Sequence, residues 1–182
     1  MNTAAEPDRR PLEDEIRAAF RGVKLGKGIS LSQAEVIDRY GKDREGRQVS
    51  DRQFDDLKFA DERNDWTKLE LSDLERDNIA HMDGEGLRFY LPALMLSVIS
   101  NYVPSSMRVI GTLSALDPRP MSSYHLDRYS FLDDDQKHVI ARYIQILPDL
   151  VSLDYEDAVI LEHAMAAYWH EFLIPTPRNK TV

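Results

Sequence analysis

The sequence contains no cysteine, which excludes disulfides, thiolate zinc sites, thiol nucleophiles and iron–sulfur clusters, and accords with a reducing compartment. It also lacks a long apolar run. The longest, Leu87 to Ile99, is interrupted by Arg88, Pro92 and Ser97 and is too short to span a bilayer. No apolar segment follows Arg9 and Arg10, so a secretory signal is not supported and a cytoplasmic protein without a membrane partner is expected. Basic residues are the scarcer charge, 23 against 32 acids. Residues 1–60 balance at 12 of each, so the whole excess lies in residues 61–182, with 20 acids and 11 bases. Such a surface repels phosphate backbones, which argues against a nucleic-acid partner. It would attract and orient a basic protein, or serve solubility alone.

Catalytic signatures are missing as well. There is no G-x-S-x-G elbow and no H-E-x-x-H pair. Gly22-Val23-Lys24-Leu25-Gly26-Lys27-Gly28 fails as a phosphate loop: its glycines are one residue too close, Gly28 stands where Ser/Thr must hold magnesium, and a helix pattern precedes it. His81, Asp83 and Glu85 alternate but lack the acid ladder of a calcium loop. His163 and His170 are two helical turns apart, too far to chelate one ion together. Neither a cofactor nor a metal is expected.

What the chain does contain is a series of helix starts, in which an N-terminal acceptor is followed three residues later by an acid or amide. The pairs are Ser32/Glu35, Ser50/Gln53, Ser72/Glu75, Asp133/Gln136 and Asp154/Asp157. They predict helices ending near Gly41, Pro148 and Pro175, and Asp133-Asp134-Asp135 then complements a helix dipole. Leu12, Ile16, Ala19, Phe20 and Val23 trace a further helical face after Pro11. Strand patterns are confined to Leu87–Leu91 and Met107–Leu113, while 41–48 and 114–130 look like loops. The expected fold is all-α or predominantly α: one compact multi-helix domain over residues 10–175, at most a short two-stranded element, and flexible ends at 1–9 and 176–182.

One stretch concentrates polar chemistry beside glycines: His81, Asp83, Gly84, Glu85, Gly86, Arg88 and then Phe89-Tyr90-Leu91-Pro92-Ala93. Pro92 favours an extended entry over Arg88 to Leu91 and a helix beginning at Pro92 itself. Asp83, Glu85, Arg88 and Tyr90 are the candidate binding residues. Arg88 could grip a carboxylate or phosphate with Tyr90 stacking or donating beside it, or could pair with Asp83 or another acid and pin the loop. The acidic-Gly-x-Arg-Phe-Tyr-Leu-Pro-Ala pattern resembles a family of bacterial proteins of uncharacterised function. Weaker similarities lie in Leu31-x-x-Ala34-x-x-Ile37-Asp38, Asp65-Trp66 and Leu132-x-x-x-Gln136-x-x-x-Ile140-x-x-Tyr143-Ile144. The resemblance implies a self-contained domain and carries no catalytic role. The leading expectation is a non-catalytic protein-binding or regulatory domain, inhibitor-like or immunity-like, with an acidic surface. Its rivals are a small hydrolase or ligand-binding protein centred on Asp83–Arg88, and a subunit of a larger assembly presenting Trp66, Tyr168 or Trp169.

Overall fold

A computed structural model describes residues 8–40, 49–75 and 79–174. Its centre is a helix that is apolar all round. α5 (Gly84–Ser100) buries 14 of its 17 residues, as a helix without a polar face must. The other helices enclose it: α1 (Arg10–Ala19), α2 (Leu31–Tyr40), α3 (Asp51–Leu57), α4 (Leu71–Leu74), α6 (Met107–Ser114), α7 (Ser122–Tyr129), α8 (Asp134–Leu150) and α9 (Tyr155–Ala167). α1 packs on α8 and α5, α6 lies between α5 and α9, and α8 supports both α9 and a final 3-10 turn, Trp169–Phe172. One hydrophobic core runs from Leu12 to Trp169. No strand occurs among the described residues, and no helix there is long and apolar enough to cross a membrane.

Several boundaries follow the expected caps. Ser50 and Gln53 bond reciprocally at α3, Asp133 and Gln136 do so at α8, and the Asp154 side chain accepts from Asp157 N at α9. Two starts differ. α2 is capped by Ser30 with Gln33, since Gln33 N donates to Ser30 Oγ (3.4 Å) and Ser30 N to Gln33 Oε1 (3.1 Å). Ser32 lies inside that helix and donates to Asp61. α4 is capped by Glu70, whose N–H donates to Asp73, so Ser72 is an interior residue.

The candidate strands are both helical: Leu87–Leu91 lies within α5 and Met107–Leu113 within α6. A short continuous apolar run has no period to distinguish a buried strand from a buried helix turn. Pro92 sits inside α5 rather than opening it, and Pro148 sits inside α8 rather than ending it. Each ring removes one intrahelical donor, and the packing of both helices outweighs that loss. Residues 114–130 are not a loop but hold a 3-10 turn, Arg119–Met121, followed by α7. The last helix breaks at Tyr168, where φ is −153°. Residues 41–48, with the stop at Gly41, and the stop at Pro175 lie outside the described residues, as do 1–7 and 176–182 of the expected flexible ends. Arg9 stands at the N-cap position of α1 without a side-chain cap bond, and its guanidinium donates to Ile99 O (3.0 Å).

Candidate functional site

The stretch singled out in the sequence forms the N-terminal third of α5 and the loop that lies against it. Asp83 is the N-cap: its Oδ1 accepts from Gly86 N (2.8 Å) and from Ile29 N (2.9 Å). One carboxylate oxygen thus satisfies a free helix donor and ties residues 28–31 to the helix start. Glycines make that approach possible. A Cβ at Gly86 would stand 2.6 Å from Ile29 O, and one at Gly28 would stand 2.6 Å from Gly86 N. Backbone meets backbone on both sides, so neither position has room for a side chain.

Arg88 does not pair with Asp83. Its Nε donates to Gln136 Oε1 (3.1 Å), and the acid beside it is Asp133, at 3.8 Å. Gln136 is buried and also donates from Nε2 to Ala19 O (3.3 Å), so α1, α5 and α8 meet at one amide. Tyr90 is fully buried, its hydroxyl accepts from Leu31 N (3.4 Å) and its ring stands edge-on to Phe89. Glu85 is half-buried. His81 pairs with Asp38 (2.9 Å) rather than with Asp83 or Glu85. Among the described residues no cluster of three metal-ligating side chains exists. Asp83 thus serves as a cap, Arg88 joins α5 to α8 and Tyr90 belongs to the core.

Sequence reasoning missed a second polar cluster, at the end of α6. The carbonyls of Ala115 and Leu116 accept from Tyr129 Oη (2.7 Å) and Trp169 Nε1 (2.7 Å). Buried Asp117 forms a forked bond with Arg119, with contacts of 2.9 and 2.6 Å. Burial alone would push its carboxyl up, but Arg119 outweighs this and holds it below the usual carboxylate range. His125 is held below its ordinary value, first by burial and then by the nearby Arg128 charge. Arg128, also buried, donates to Ile79 O (2.7 Å) and lies over the Tyr124 ring. Trp66 and Trp169 are buried and Tyr168 is half-buried, so the apolar patch that would mark an assembly subunit is not formed by them.

Two surface features remain. The turn between α5 and α6 is fastened to the start of α9. Tyr102 Oη accepts from Asp154 N (2.8 Å) and donates to Asp157 Oδ2 (2.7 Å), and Ser105, at φ 58°, reaches Asp154. Burial pushes the Tyr102 hydroxyl up to about 12 and raises the Asp157 carboxyl. Beside this fastening, Val103, Met107 and Tyr155 are 54%, 60% and 83% exposed. Elsewhere, a groove of about 220 Å³ runs between Arg17 of α1, the turn at Trp66 and the second half of α5.

Residues 8–173 match the profile of a family of unknown function (DUF6714). No curated protein and no solved structure matches the chain.

Proposed function

We propose, for a chain that belongs to the DUF6714 family of unknown function, that it is a non-catalytic protein-binding domain which receives a basic partner on the acid-bounded apolar face around Tyr155. The observation that carries this reading is the coincidence of exposed apolar side chains with one-signed charge. Val103, Met107 and Tyr155 project beside a turn and a helix start fastened through Tyr102. Between Arg142 and Arg178 the sequence contains six acids and no lysine or arginine. Burying one side chain of the size of Met107 contributes roughly 1.5–3 kcal/mol. The surrounding acids add steering and select against acidic partners. A face already held rigid loses little entropy on binding. Such a domain would act as a regulator or inhibitor by occupying its partner. The Asp83–Arg88 stretch supports a hydrolase poorly, because its polar groups are engaged in capping and helix contacts.

The test is selection of displayed random peptides on the intact protein, with counter-selection on a Met107→Ser/Tyr155→Ser variant. Enriched sequences should combine Lys or Arg with aliphatic or aromatic residues, bind less tightly as salt rises, and lose binding to the variant. Failure to enrich any sequence, or equal binding to the variant, overturns the reading.

A further inference from the structure

We propose that the groove between α1 and the second half of α5 binds a small organic acid, a carboxylate on a short aliphatic or single-ring body, with Arg17 and Arg21 holding the carboxylate. The first reason is the state of these two arginines. In a chain with 32 acids, exposed Arg10, Arg39 and Arg119 each have a carboxylate partner, and half-buried Arg142 pairs with Glu15. Arg17 and Arg21 make no ion pair or side-chain hydrogen bond among the described residues. Glu13 stands four residues before Arg17, a spacing that favours a helical ion pair, yet Arg17 lines the groove instead. Arg21, in the turn after α1, joins Arg17 in lining the adjoining depression of about 460 Å³. Asp65 lines that depression too, but its Oδ1 is engaged by Thr67, so two guanidinium groups stand beside one carboxylate and leave a net positive charge for an anion.

The second reason is the floor. Trp66, Leu74 and Leu96, all nearly buried, form its apolar part, beside which Thr67 and Asn101 add polar atoms to the lining. The Trp66 indole N–H is already bonded to Phe20 O (2.8 Å), so the floor makes no polar demand there. At the far end the hydroxyls of Ser97 and Ser100 are spent on Leu94 O and Leu96 O. The cationic end and the apolar bed therefore lie next to each other, as an amphipathic acid requires. A volume of about 220 Å³ is below the range of drug-sized and cofactor pockets, which limits the body to a short chain or one ring. This site shares no residue with the face around Tyr155, so its test leaves the protein-binding reading untouched.

The experiment is an amide and indole NMR titration of the whole chain with hexanoate, with acetate and hexylamine as controls for head and body. Hexanoate should give saturable shifts concentrated at the Trp66 indole and at the end of α5. Acetate and hexylamine should give none that saturate. Arg17→Ala should weaken hexanoate roughly tenfold, and Arg17→Lys by less, because a lysine keeps the charge but loses the planar fork. Arg17 is exposed, and an unchanged spectrum elsewhere confirms that each variant is folded. Shifts that rise linearly without saturation, equal binding of hexylamine, or hexanoate binding unchanged in Arg17→Ala overturns the proposal.

Discussion

Replacing Gly86 by alanine tests whether the Asp83–Arg88 stretch is a packing device. Taken alone the change favours the helix, since alanine exceeds glycine by about 1 kcal/mol in a helix interior. The contact works against it. The new methyl would stand 2.6 Å from Ile29 O, 3.1 Å from Asp83 Oδ1 and 3.2 Å from Met82 Cβ. Relief needs the Ile29 carbonyl to retreat by nearly an ångström, but that segment is held by the Ile29 N to Asp83 bond (2.9 Å) and by Gly28 against the helix backbone. Losing a hydrogen bond to a carboxylate costs about 1.5–3 kcal/mol, and overpacking typically adds about 1–3 kcal/mol. Set against the helix gain, the net loss is about 1.5–5 kcal/mol. For a domain of this size that corresponds to a fall in Tm of roughly 3–20 °C. Urea and thermal unfolding followed by circular dichroism measure it, with an unchanged m-value showing that the denatured state is not the cause. Gly22→Ala is the control: φ is +74° but nothing lies within 4 Å, so it should cost only the left-handed penalty of about 1 kcal/mol. A Gly86→Ala protein as stable as the parent would refute the close-approach argument.

Arg88→Ala should lose only about 0.5–1.5 kcal/mol in urea unfolding, because its Asp133 contact is long and half-exposed and the Gln136 bond is single; a larger loss would mean that the α5–α8 junction depends on it. His125 is held below its ordinary value of 6.5, so below that pH the unfolded chain takes up a proton that the folded chain resists. Its contribution is thus complete above pH 6.5 and declines as pH falls towards the folded value; His125→Gln should flatten the dependence of Tm on pH in that window. Tyr102→Phe removes the acceptor for Asp154 N and the donor to Asp157, which should cost about 1–3 kcal/mol at neutral pH. Asp157→Asn retains an acceptor for Tyr102 and removes a carboxyl that burial keeps above its ordinary 3.8. A raised carboxyl withholds stability as pH rises through that range, so this variant should match or exceed the parent in neutral-pH unfolding.

Where a local signal was sufficient, the sequence was readable. Ser50, Asp133 and Asp154 cap helices as their spacing predicts, because a cap needs only its own four residues. Ser32 and Ser72 carry the same pattern but are not caps, since neighbouring residues, Ser30 with Gln33 and Glu70 with Asp73, supply competing boxes. α7 was illegible for a different reason. Its buried residues are His125, Arg128 and Tyr129, so its inward face is written in polar and aromatic letters that a hydrophobic period does not register. Carbonyls elsewhere in the fold, those of Ile79 and Ala115, receive Arg128 Nη2 and Tyr129 Oη.

The Asp83–Arg88 stretch shows why a cluster of polar residues beside glycines has two physical readings in a sequence. Glycines permit a ligand to approach a helix N-terminus, but they equally permit another backbone to do so. Here residues 28–29 lie against the start of α5: Ile29 N and Gly86 N share one Asp83 oxygen, and both Gly28 and Gly86 lie too close to opposing backbone for any side chain. The acid is therefore directed at the chain's own donors. Arg88, five residues after Asp83, faces α8 and not the cap. The same residue types could have built a binding site had the loop at 28–29 been absent. Its presence makes Asp83 a clasp between the loop and α5.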